Sequence, residues 1–94
     1  MNLKNIHNSK AVETNLLFSN HEGKVISLQI LKGEQLKEHI TNVPAFLICV
    51  IGNAIYEDET GNKIILFSGD YVLIEPNIKH WVNGIEDTNL LLIK

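Results

Sequence analysis

The 94-residue chain has one cysteine, two prolines, one tryptophan and no long apolar run. A lone thiol excludes an intrachain disulfide, and with it the small secreted scaffolds held together by such bonds. Cys49 lies within the apolar run AFLICVI and reads as a buried free thiol. No apolar run approaches the ~20 residues that span a bilayer, and the first ten residues, MNLKNIHNSK, hold no apolar signal core. The cytoplasm is therefore the expected location, with no membrane partner. Basic residues are also scarce, 8 Lys+Arg against 11 Asp+Glu for a net charge of -3, and they form no stripe. The electrostatic term that dominates nucleic-acid binding is missing, so no nucleic-acid partner is expected.

What is present is strand chemistry. Apolar residues make up 45% and charged residues 20% of the chain, the balance of a folded globular domain rather than a disordered one. Residues 1–94 read as a single domain, with 1–9 as a flexible N-terminal segment. Short runs rich in β-branched and aromatic residues recur about every ten residues, separated by Gly, Pro and Asn turns. The runs lie at 11–19, 24–31, 35–40, 44–51, 53–58, 62–67, 70–75, 79–83 and 87–93. Many short strands bury their faces only against a second sheet or around a closed barrel, so the fold class is all-β. KVISLQIL alternates Ile26, Leu28 and Ile30 with Val25, Ser27 and Gln29, which predicts one wet face. PAFLICVI and NLLLI do not alternate and need cover on both sides.

Four histidines carry the candidate chemistry. His7 in the polar N-terminal segment and His21 in the turn NHEG read as solvent-exposed. His39 and His80 each follow a glycine-led strand, and two imidazoles on neighbouring strands can share a metal ion. The serines have no accompanying histidine and acid in a catalytic pattern, and the acidic stretch EDET reads as a solvated hairpin tip. Trp81 reads as packing between sheets.

The segments GEQLKEHITNVPAFLICVIG and GDYVLIEPNIKHWVNG resemble the two motifs of small single-domain cupins, between Leu31 and Gly84. Gly33, His39 and Gly52 match the first motif in spacing, while Thr41 stands where the family has a second histidine and Ala45 where it has a glutamate. In the second motif Gly69 and His80 match. Glu75 occupies the family's proline position, Asn77 its glycine and Gly84 its asparagine. Asn is the non-glycine residue that best tolerates the left-handed conformation, which makes Asn77 a mild replacement.

The resemblance implies a double-stranded β-helix, the jelly-roll or cupin-like barrel, often dimeric, with three imidazoles and a carboxylate around a divalent ion. Only two of those four ligands are retained, His39 and His80. No cofactor is therefore certain, and a weakly bound divalent transition metal is the one cofactor the pair suggests. As interior residues without metal, the two would be neutral and bonded to each other, to Thr41 or to water. The expected site is a pocket for a small organic ligand formed by His39, Thr41 and His80 with Phe46, Ile48 and Val72. The alternatives are a metal-dependent isomerase- or dioxygenase-type enzyme with recruited ligands, and a dimeric scaffold. A homodimer is the expected assembly, with Leu16–Phe18 and Leu90–Ile93 as candidate contact runs.

Overall fold

The structure, a computed structural model, describes all of Met1–Lys94. Each of the nine expected runs forms a strand: β1 (Val12–Asn20), β2 (Gly23–Ile30), β3 (Gln35–His39), β4 (Ala45–Ile51), β5 (Ala54–Asp58), β6 (Lys63–Leu66), β7 (Tyr71–Ile74), β8 (His80–Gly84) and β9 (Thr88–Ile93). One sheet runs β1-β2-β9-β4-β7 and the other β3-β8-β5-β6, with every pairing antiparallel. No helix is long and apolar enough to cross a membrane.

The period of two decides which side chains meet between the sheets. From the five-stranded sheet come Leu28, Ile30, Leu47, Cys49, Ile74 and Leu90, and from the other Ala54, Tyr56, Leu66 and Val82, all buried. In β4 the buried positions are the odd-numbered Ala45, Leu47 and Cys49, so the even-numbered Phe46 and Ile48 point to the outer face. That outer face is apolar as well. Phe18 pairs with Val25, Val25 with Ile93, Ile93 with Phe46 and Phe46 with Leu73, an apolar row across all five strands.

One expectation about this face is overturned. His7 is not solvent-exposed: its side chain is fully buried, with Nε2 2.7 Å from Ser27 Oγ, Nδ1 3.4 Å from Asn15 Nδ2 and Nδ1 3.5 Å from Glu13 Oε2. The chain after the short 3-10 turn Leu3–Asn5 thus lies over β1 and β2, and Asn15 Nδ2 also donates to the Ile6 carbonyl. Ser27, on the side of β2 expected to be wet, is fully buried as a result.

Two connections set up the site. Asn77 adopts a positive φ of 65°, the conformation that Asn tolerates and β-branched residues do not, and its N–H donates to the Thr41 carbonyl at 2.8 Å. The β7–β8 turn is thereby fastened to the β3–β4 loop. Beside the site, Asp58, which faces His80 across the β5–β8 ladder, closes the β5–β6 hairpin by accepting hydrogen bonds from both the backbone and the side chains of Thr60 and Asn62.

Candidate functional site

His39 and His80 stand opposite each other on β3 and β8. A regular β3 would forbid this arrangement, because Leu36 and His39 are three residues apart and alternation would put them on opposite faces. The ladder resolves the conflict with a bulge. Leu36 pairs with Val82 and His39 with His80, so β3 takes three steps where β8 takes two. Both Leu36 and His39 then line the interior. The two imidazole centroids are 6.4 Å apart and the rings tilted by 38°.

The pair opens on a cavity of about 100 Å³ between the sheets. Its apolar wall includes Leu28, Leu36, Ala45, Ile74 and Leu92, and its polar lining includes His39, Thr41, His80 and Lys94. His80 is 6% exposed and Thr41 is buried, whereas His39 and Lys94 are exposed at the mouth. Of the residues expected to form the pocket, the structure brings His39, Thr41 and His80 together and leaves three elsewhere. Phe46 and Ile48 lie on the outer face of the five-stranded sheet, where Phe46 stacks on Tyr71 at 5.0 Å. Val72 packs against the core opposite Leu47, away from the cavity.

Each imidazole is oriented by a carbonyl two residues before it. His39 Nδ1 lies 2.5 Å from the Lys37 carbonyl oxygen and His80 Nδ1 3.4 Å from that of Ile78. A carbonyl only accepts, so in the neutral ring Nδ1 carries the proton and Nε2 holds a lone pair. Neither Nε2 has a hydrogen-bond partner within the chain. Burial holds the His80 imidazole below its ordinary range; His39 and Lys94 push the same way, against the Ile78 carbonyl and Asp58. His80 is also packed on its other side, where the Tyr56 ring stacks on it at 6.0 Å.

Thr41 is engaged locally: its hydroxyl donates to the Val43 carbonyl at 2.8 Å and accepts from the Val43 N–H at 3.4 Å. The carboxylates nearest in sequence are engaged or turned away. Glu57 accepts from Trp81 Nε1 at 2.6 Å and pairs with Lys63 at 3.7 Å, and Glu38 and Glu75 are exposed. This also corrects the reading of Trp81, whose indole is held by a side chain of its own sheet rather than packed between the two.

The fold has clear counterparts among solved structures. A cupin superfamily protein from Desulfitobacterium hafniense DCB-2 superposes with a TM-score of 0.86 at 17% identity, over 98% of this chain and 84% of that one. The chain has the cupin fold. An RmlC-like cupin from Shewanella frigidimarina gives a TM-score of 0.80 at 19% identity, over 88% of this chain and 74% of the other. A conserved Streptococcus pyogenes protein of unknown function gives 0.83 at 15% identity, over 99% and 82%. No protein-family model matches the sequence, and no curated protein does.

Cupin barrels commonly hold a divalent ion, and the residues of this barrel do not fit one. A resident catalytic ion needs about three protein ligands, yet no three His, Cys, Asp or Glu side chains cluster here. The interior offers two Nε2 lone pairs, while the Thr41 proton is committed to a carbonyl. Lys94, missed in reading the sequence, adds a positive charge to the lining. Its signal was the inward alternation of Leu90 and Leu92, which continues to Lys94.

Proposed function

We propose that this cupin barrel is a binding protein for a small organic molecule, taken up in the cavity between His39, Thr41 and His80. The observation that carries this reading is the pair of imidazoles, drawn from distant parts of the chain, that line one largely apolar cavity with each Nδ1 on a backbone carbonyl and each Nε2 left free of bonds within the chain. Imidazole acceptors beside apolar walls favour a ligand that supplies hydrogen-bond donors and covers the apolar surface. Imidazole spectra recorded during a screen of small organic compounds test the proposal. A true ligand shifts the ring signals of both His39 and His80, and the folded double variant His39→Ala/His80→Ala binds it at least about tenfold more weakly. Unchanged affinity in that variant would remove the site.

Metal is secondary in this reading. Two imidazoles hold a transition ion loosely, so protein loaded with Ni²⁺ or Zn²⁺ and then dialysed is expected to retain far less than stoichiometric metal. Near-stoichiometric retention would instead favour a metal-dependent enzyme with ligands from elsewhere. The buried free thiol Cys49, which burial pushes to a raised pKa ahead of a smaller contribution from Asp70, suits a reducing cytoplasm.

A second reading, of assembly, is favoured by the row Phe18–Val25–Ile93–Phe46–Leu73. Phe18 is 58% and Leu73 65% exposed, with Tyr71 beside them at 59%. The row contains no charge, so two copies could join there without bringing their like net charges into contact. A homodimer through this face is the expected state. Light scattering at about 100 μM, a concentration at which even weak pairs associate, should give twice the chain's 10.6 kDa, and Leu73→Asp should give the monomer. A monomeric parent protein would refute the dimer.

A further inference from the structure

The ionisable residues lining the cavity are all bases. His39, His80 and Lys94 face it, and no aspartate or glutamate does. This runs against the chain as a whole, which carries 11 acidic and 8 basic residues. Lys94 is fixed here by its backbone: its N–H donates to the Lys24 carbonyl at 3.0 Å, and its carbonyl accepts from the Lys24 N–H at 2.6 Å. That register continues the β2–β9 ladder and turns the Lys94 side chain to the same side as Leu90 and Leu92, toward the cavity. Lys94 forms no ion pair, whereas Lys32 and Lys63 each have a glutamate within 4.0 Å.

The lining therefore offers two different complements. An unpaired ammonium at the mouth attracts an anionic oxygen. With Nδ1–H turned to a backbone carbonyl, an imidazole Nε2 accepts from a donor, which a carboxylate lacks and a hydroxyl has. Between them lie the aliphatic side chains of Leu28, Ile74 and Leu92. A cavity of about 100 Å³ suits a small occupant. We propose that the cavity binds a short-chain hydroxycarboxylate, with its carboxylate against Lys94, its hydroxyl donating to an imidazole Nε2 and its carbon chain on the aliphatic wall. The proposal rests on the cavity being the binding site and adds the chemical class of its ligand.

The test uses four small probes on the full chain, stripped of metal by chelation and dialysis: lactate, propionate, lactamide and inorganic phosphate. Propionate lacks the hydroxyl, lactamide lacks the charge, and phosphate is an anion without a carbon chain. Ligands this small bind with dissociation constants of roughly millimolar size, within reach of imidazole and amide chemical-shift titrations. Lactate is expected to bind about tenfold or more tightly than each of the others while shifting both His39 and His80, since each comparison removes a hydrogen-bonded or charged contact. Lys94→Gln, a change at an exposed position that should leave the fold intact, is expected to weaken lactate about tenfold and leave lactamide unchanged. Equal binding of lactate and lactamide, an indifferent Lys94→Gln variant, or phosphate binding as tightly as lactate would overturn the ligand class while leaving the cavity as a site. If no probe moved either imidazole, the ligand class would fall. If a wider compound screen also left both imidazoles unmoved, the binding-site reading would fall with it.

Discussion

Gly52→Ala is expected to cost the protein about 4 kcal/mol, a large share of the roughly 5–14 kcal/mol that holds a domain of this size together. Gly52 directly follows β4 with φ at +91°, and an added Cβ would lie 2.3 Å from the Asp87 carbonyl oxygen and 2.9 Å from Thr88 Oγ1. Neither atom can give way cheaply. Thr88 is 1% exposed, and its hydroxyl, 2.8 and 2.7 Å from the carbonyl oxygens of Asn53 and Glu86, shares its one proton between them. The β8–β9 connection is in turn tied to Asn53 through the N–H groups of Ile85 and Glu86. Gly69 is the control. Its φ is +92°, nearly the same, but an added Cβ there would meet nothing within 4 Å. Gly69→Ala should therefore cost only the backbone term of about 1–2 kcal/mol. Thermal unfolding separates the two causes: a drop of roughly 15 °C or more is expected for Gly52→Ala and less than half of that for Gly69→Ala. Equal losses would show that conformation alone, and not the clash, makes Gly52 necessary.

Asp58→Ala is expected to be the costliest polar substitution, at about 2–4 kcal/mol. Asp58 is 8% exposed and accepts the Tyr56 hydroxyl at 3.3 Å in addition to its bonds from Thr60 and Asn62. Removing the acceptor leaves the Tyr56 hydroxyl, on a residue 2% exposed, buried without a partner. Tyr56→Phe removes the donor instead and leaves Asp58 its remaining bonds, so it should cost only about 0.5–1.5 kcal/mol. The same carboxylate makes stability depend on pH. Burial alone would raise its pKa, but the hydrogen bonds from Thr60 and Asn62 outweigh burial and hold it below the ordinary 3.8. A depressed folded pKa means that the unfolded chain takes up the proton first. The stabilisation is then complete above about pH 4 and fades as the pH falls through the lower folded value. Urea midpoints measured across this acid range should fall for the parent and change less for Asp58→Ala. Parallel curves would count against the assignment. Tyr56 itself is pushed up to about 12 by burial, then by the charge of and bond to Asp58 and the charge of Glu75, and stays protonated throughout.

The strand runs were legible because alternation and turn residues act locally, and the same local chemistry foretold the positive φ of Asn77. What escaped the sequence depended on distant partners. AFLICVI is apolar on both faces, so nothing in it says that Ala45 and Leu47 face inward while Phe46 and Ile48 face outward. That choice is made by pairing with β7 and β9. The bulge before His39 is equally silent, since Lys37 and Glu38 are ordinary strand residues until β8 fixes the register. His7 reads as a surface residue because its partner Ser27 lies 20 positions away. The glycine spacing singled out His39 and His80; their convergence on one cavity is a property of the ladder.

That convergence is tested most directly by ring-to-methyl nuclear Overhauser effects in protein with labelled isoleucine and leucine methyls. The ring protons of both His39 and His80 should show contacts to methyls of the shared wall, Ile74 and Leu92. If either imidazole gave contacts only to solvent or to outer-face residues such as Phe46 and Leu73, the two rings would not share a cavity and the proposed site would be refuted.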